Sequence, residues 1–305
     1  MFTFFKKFNS NKEKQNLFEG LNTFNFHKTE INILPSVLVT GVGRSGTHFM
    51  AKLFEQSSDF RAMHLDDIGD AVGDAYNWFC KWHQPEMAMQ NFIQSRLYLA
   101  HQSSSYNKRF VESNPMIALM IENLIQPLKA KTIIMLRHPQ EVVVSHFQKG
   151  WYQQNYEFPP QGMPDYPYSH QRSNHFFSRI TPKDLEEQER WKKYDILGKI
   201  SWMWMAINRE ILNQVENEQI GDRVRFVYLN NFGYEEYLSL MEWIACSNPM
   251  DEKKFKAVVS SKPGKGKNTE KPIWTEKDKA EFNFEIDKVM NQFNFIADSK
   301  NWKFQ

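Results

Sequence analysis

The chain has 305 residues, 41% of them hydrophobic and 24% charged, with 25 Phe, 9 Trp and 11 Tyr, a composition that sustains a buried core and excludes a wholly disordered chain. Its 38 basic and 36 acidic residues leave a net charge of +2, which excludes the broad basic footprint of a nucleic-acid binder and makes any anion site local. With Cys80 and Cys246 as its two cysteines, it has no disulfide framework and is expected in a reducing, cytoplasmic compartment.

The N-terminal run Met1-Phe2-Thr3-Phe4-Phe5-Lys6-Lys7 is too short in apolar residues for a signal peptide, and no later stretch has the length of a membrane span. Its phenylalanines and lysines could touch a membrane surface, but a frayed tail is the expected reading. Residues 1–30 are polar and Asn/Lys-rich, a lead-in to a single domain over residues 31–305. After Pro35, Ser36-Val37-Leu38-Val39-Thr40 is a short β-branched run suited to a strand buried on both faces. Glycines follow at once, and then Phe49, Met50, Leu53 and Phe54 recur at helical spacing within Thr47–Gln56. Residues 64–105 form an aromatic-rich helical insertion containing Trp78, Phe79, Trp82 and Tyr98.

Arg109-Phe110-Val111 is a second short strand, followed by a helix over Met116–Pro127. Residues 131–136 are a third strand, which ends at Arg137-His138-Pro139 and runs into a helix over Gln140–Lys149, with the proline suited to its first turn. Residues 150–182 are rich in Pro, Tyr, His and Ser without periodicity, the signature of a long functional loop. Lys183–Gln219 is a long helical stretch, residues 224–229 a fourth strand and Tyr234–Ala245 its helix. Strands alternating with helices predict an α/β fold with a parallel sheet covered on both sides.

Gly41-Val42-Gly43-Arg44-Ser45-Gly46-Thr47 joins the first strand to the first helix. Such a loop gathers backbone N–H groups and the positive end of a helix dipole around one point, which favours phosphate or sulfate. Gly41 and Gly46 have the glycine spacing of a nucleoside-triphosphate loop, but Thr47 stands where that motif requires Lys, and the loop's cation is Arg44.

Here the chain resembles the sulfotransferases that use 3′-phosphoadenosine 5′-phosphosulfate (PAPS), whose loop carries Lys or Arg and then Ser-Gly-Thr after the first strand. Gly43-Arg44-Ser45-Gly46-Thr47 is similar to the Arg-containing version of the tyrosylprotein, carbohydrate and bacterial branch, while His48 and Phe49 stand where cytosolic small-molecule enzymes have Thr and Trp. The family also places Arg at the end of a later strand and Ser eight residues on, both for the 3′-phosphate, and Arg137 and Ser145 match that pair. The resemblance spans Leu34 to Ala245 and implies a P-loop-like three-layer fold with a central parallel sheet flanked by helices, plus helical and loop insertions.

It further implies PAPS as donor and PAP as product, with no metal. Arg44 would stabilise the leaving oxygen, Gly43, Ser45, Gly46, Thr47 and His48 would surround the 5′-phosphosulfate, and Lys262, Lys265, Gly266 and Lys267 in a C-terminal basic loop would close over the 3′-phosphate. Asn230 and Asn231 depart from a Tyr-Glu-Asp-Leu-like run of many members. The catalytic base is Glu112, in Glu112-Ser113-Asn114-Pro115, or His64, twenty residues after Arg44. His64, Asp66, Asp67 and Asp70 lack zinc-site spacing and read as a solvated helix start. The unassigned regions 64–105 and 150–182 would hold a small-molecule, carbohydrate or peptide acceptor. The competing readings are a P-loop nucleotide kinase without its Lys and a non-catalytic nucleotide-binding protein.

Overall fold

The computed structural model describes residue 17 and residues 19–26, 29–64, 71–81, 84–153, 180–217, 220–261 and 270–304. Its centre is a five-stranded, wholly parallel sheet in the order β2-β3-β1-β4-β5. The strands are β1 (Val37–Thr40), β2 (Phe60–His64), β3 (Arg109–Ser113), β4 (Lys131–Leu136) and β5 (Val224–Tyr228). Every residue of β1 is buried, as the β-branched run requires of a strand covered on both faces.

Helices cover both sides. Side chains alternate across each strand, so Val37 and Val39 of β1 pack with α1 (Thr47–Phe54), α8 (Tyr234–Trp243) and α9 (Glu252–Ser260), through Met50, Leu53, Tyr237, Leu240 and Phe255. Leu38 faces the larger core formed by α2 (Ala71–Cys80), α3 (Pro85–Ser104), α4 (Ile121–Ile125), α5 (Pro139–Phe147), α7 (Ile196–Val215) and α10 (Glu276–Met290). Much of the aromatic content among the described residues is interior: Trp202, Trp204 and Trp302 are all but fully buried, and the rings of Trp204 and Trp302 meet edge-on at 5.7 Å.

The three-layer fold and the paired helices of the 64–105 insertion agree with the sequence reading. Three local differences have physical causes. The helix expected over 116–127 is a 3₁₀ turn at Pro115–Leu119 followed by α4, because Met120 adopts an extended φ of −154° between them. The long stretch from 183 divides into α6 (Leu185–Lys192) and α7, since Asp195 takes an extended N-cap conformation and restarts the helix. The segment Phe60–His64 is a full edge strand, β2, paired to β3 along its length. Part of the expected lead-in packs on the core as well: Leu17 is buried, and Phe24 meets Tyr98 of α3 edge-on at 5.3 Å. The bulk of the 150–182 loop lies outside the described residues. Among those residues no helix is long and apolar enough to cross a membrane.

The topology fixes where a ligand can sit. From β1 the chain passes to α1 on one face of the sheet, whereas from the adjacent β4 it passes to α5 on the other. The divergence opens a crevice at the C-terminal ends of β1 and β4, the switch point where open α/β sheets bind ligands.

Candidate active site

The turn leaving β1 is bounded by two glycines that no other residue could replace without strain. Gly41 has φ 138°, and a Cβ there would lie 2.3 Å from the carbonyl oxygen of Met135 on β4. Gly46 has φ 103°, and its Cβ would meet Leu229 at 2.9 Å. Between them Arg44 is left-handed at φ 70°, and Ser45 N–H closes the turn on Val42 C=O at 3.1 Å. Gly46 is the N-cap of α1 and supplies no side-chain cap. The first-turn amides of α1 are thus left for an outside acceptor, reinforced by the helix dipole. Ser45 is a partial exception to its expected role: its N–H serves the turn, so what it can offer an anion is its hydroxyl.

β4 delivers the second half. Its pairing with β1, with Thr40 opposite Ile134, sets Arg137 beside the glycine turn. The Arg137 guanidinium donates through Nη1 to the Arg44 carbonyl at 3.2 Å, and Arg44 Nε donates to Ser145 Oγ of α5 at 3.0 Å. Arg44, Arg137 and Ser145 are therefore one constellation. Burial, and next the neighbouring Arg137 cation, push the Arg44 guanidinium below its ordinary pKa. Arg137 Nε is held by Glu141, one turn along α5, at 2.7 Å. Asn230 accepts from His138 N–H at 3.2 Å and donates to the same Glu141 at 3.2 Å. The asparagine that breaks the family's acidic pattern thus ties the end of β5 to the start of α5.

The two candidate bases are in different states. His64 ends β2, and its ring stacks on that of His48 in α1 with centroids 4.6 Å apart and planes 6° from parallel. Burial first, and the adjacent His48 second, push His64 down to about 4, against opposing contributions from the Ser113 backbone and Glu112. His48 is lowered too, by burial, Lys52 and Arg44. Nδ1 of His64 is buried without a hydrogen-bond partner among the described residues.

Glu112 is only 1% exposed and is clasped by the fully buried Arg96 of α3, with Nε to Oε2 at 3.0 Å and Nη2 to Oε1 at 2.8 Å, while Asn114 Nδ2 donates to Oε1 at 2.9 Å. Three donors, two from the guanidinium and one from the amide, thus engage the oxygens of this carboxylate. Its neighbour Ser113 points to the opposite face and donates to the Thr47 carbonyl at 2.6 Å, which fastens the end of β3 to the start of α1. Glu112 is therefore tied into the core, whereas His64 lies beside His48 at the start of α1.

The sequence reading does not single out Arg96 or Glu141. Arg96 had a signal, because it falls in register with Phe92 and Leu99 on the buried face of α3, and a cation in that phase demands a buried partner. Lys262, Lys265, Gly266 and Lys267 lie outside the described residues, as do Asp66, Asp67 and Asp70.

The model of the sulfotransferase domain family matches residues 34–194, a span that includes the glycine turn, both candidate bases, Arg137 and Ser145. Sulfotransferase STF9 from Mycobacterium avium is similar in structure, with TM-score 0.50 and 12% identity over 91% of this chain and 84% of that one. The sulfotransferase domain from the Synechococcus PCC 7002 olefin synthase is also similar, with TM-score 0.41 and 12% identity over 79% of this chain and 82% of that one. No curated protein sequence matches the chain.

Proposed function

Because the chain belongs to the sulfotransferase domain family, we propose that it binds PAPS in the crevice between β1 and β4 and passes the sulfuryl group in line to a hydroxyl or amine of its acceptor. The observation that carries this reading is that Arg44, 93 and 101 residues before Arg137 and Ser145, is hydrogen-bonded to each of them beside an uncapped helix start. Arg137 and Ser145 receive the 3′-phosphate, the first-turn amides of α1 with the Ser45 and Thr47 hydroxyls receive the 5′-phosphosulfate, and Arg44 moves from Ser145 to the bridging oxygen as charge develops there. Gly43 lets the main chain approach.

His64 takes the acceptor proton. A base must be neutral to act, and a histidine held at about 4 is neutral throughout the physiological range. A multiply charged anion beside His48 and Arg44 would raise its basicity at the moment of need. No step requires a metal, and the two cysteines suit a cytoplasmic setting. The acceptor, whether a small molecule, a carbohydrate or a peptide, would approach over the 64–105 and 150–182 regions.

Thermal-shift titration tests the donor assignment, since a ligand of the folded state raises Tm. PAP should raise it, AMP without the 3′-phosphate much less. A shift with ATP and Mg²⁺ and none with PAP would favour a nucleotide kinase and refute the proposal, and binding of PAP without transfer to any acceptor would leave a nucleotide-binding protein.

A further inference from the structure

Beneath the anion turn lies a histidine that neither the family motifs nor the proposed chemistry uses. His146 follows Ser145 on α5 and is fully buried. Its Nε2 lies 2.8 Å from the carbonyl oxygen of Gly43, and since a carbonyl only accepts, Nε2 carries the proton. The ring is backed by Trp151, with centroids 4.1 Å apart, and Trp151 N–H donates to the His146 carbonyl at 3.2 Å. On the other side the fit depends on glycine: a Cβ at Gly43 would stand 3.2 Å from His146 Cε1. The imidazole is thus wedged between the start of the 150–182 region and one peptide unit of the turn.

That peptide unit joins Gly43 to Arg44. The peptide is trans and planar, so its C=O and N–H point in opposite directions. Holding the Gly43 carbonyl against α5 keeps it away from any anion seated in the turn and turns the Arg44 N–H to the opposite side. Without that hold, a Gly-Arg peptide has little to resist rotation, and a half-turn would present a carbonyl oxygen where an anion needs a donor.

We propose that His146 is a positioning residue that sets the orientation of the Gly43–Arg44 peptide, and through it the capacity of the turn to accept the 5′-phosphosulfate. The proposal rests on the PAPS reading above. It assigns to α5 two functions at adjacent residues: Ser145 serves Arg44 and the 3′-phosphate, and His146 serves the backbone around the 5′-group.

The discriminating experiment compares His146→Gln, whose amide Nε2 occupies the place of the imidazole Nε2, with His146→Asn, whose shorter amide cannot reach Gly43. Each is titrated calorimetrically with PAP and with adenosine 3′-monophosphate, which lacks the 5′-group. The wild type and His146→Gln should bind PAP alike. His146→Asn should bind it about five- to tenfold more weakly, the effect of one lost hydrogen bond, with adenosine 3′-monophosphate affinity unchanged across all three. PAP affinity retained in His146→Asn, lost in His146→Gln, or falling in parallel with adenosine 3′-monophosphate affinity overturns the proposal. A wild type that binds neither nucleotide overturns the PAPS reading itself and this proposal with it.

Discussion

The Arg96–Glu112 pair makes a prediction that bears on both stability and chemistry. Both side chains are at most 1% exposed, so Arg96→Met would strand a carboxylate in the core with only Asn114 Nδ2 to satisfy it. Removing one partner of a buried pair costs about 3–5 kcal/mol, a fifth or more of the ~5–15 kcal/mol that holds a domain together. Replacing both partners, as Arg96→Met/Glu112→Gln, removes the charge while the new amide oxygen still accepts from Asn114, and the deficit should shrink to about 1–2 kcal/mol. Urea denaturation with unchanged slope reads the difference. A single variant that loses less than about 1 kcal/mol, or a double variant no more stable than the single, would refute the account of the pair as mutually dependent. The double variant also reports on the base. If Glu112 is structural, the folded double variant should keep sulfuryl transfer within about an order of magnitude, whereas a loss of ~10²-fold or more would return the proton-acceptor role to Glu112.

His64→Gln should slow transfer by about 10²–10⁴-fold and leave PAP affinity intact, measured by single-turnover kinetics beside calorimetry. Because its folded pKa is depressed to about 4 from an unfolded 6.5, the unfolded chain takes up a proton that the folded chain refuses: stability falls as pH drops from 6.5 toward 4, and His64→Gln should flatten that part of the acid-denaturation curve. Arg137→Ala should weaken PAP about tenfold or more while changing AMP binding little, since a charge-assisted contact to the 3′-phosphate is the one removed. Gly41→Ala, driven against the Met135 carbonyl at a positive φ, should destabilise the fold by about 2–4 kcal/mol, more than Gly46→Ala, whose added methyl meets only the movable tip of Leu229; thermal melts rank them.

The parts of the site that could be read in the sequence are those that depend on local backbone order. The run Val37–Thr40, the glycines and the helix after them form a contiguous strand-turn-helix, so their chemistry is written in adjacent residues. The Arg137–Ser145 pair is legible for the same reason, being a strand end and one face of the next helix. What escaped depends on which strands become neighbours. Glu112 reads as a candidate base after a short strand, and only the placement of α3 over β3 reveals Arg96 beside it. His64 reads as a candidate base by its distance from Arg44, but its stacking on His48 becomes visible only once β2 pairs with β3.

Asn230 shows the limit from the other side. By motif it is a loss, an amide where many relatives carry an acid. Yet Glu141 of α5 already supplies a carboxylate at that spot, held between Asn230 and Arg137. A second carboxylate at position 230 would lie directly against Glu141, and two close carboxylates repel. An amide both donates to Glu141 and accepts from His138 N–H, which a deprotonated acid cannot do. The amide at 230 and the acid at 141 are therefore one arrangement: Asn230 ties the Glu141 carboxylate, which braces the Arg137 guanidinium, to the backbone at the start of α5.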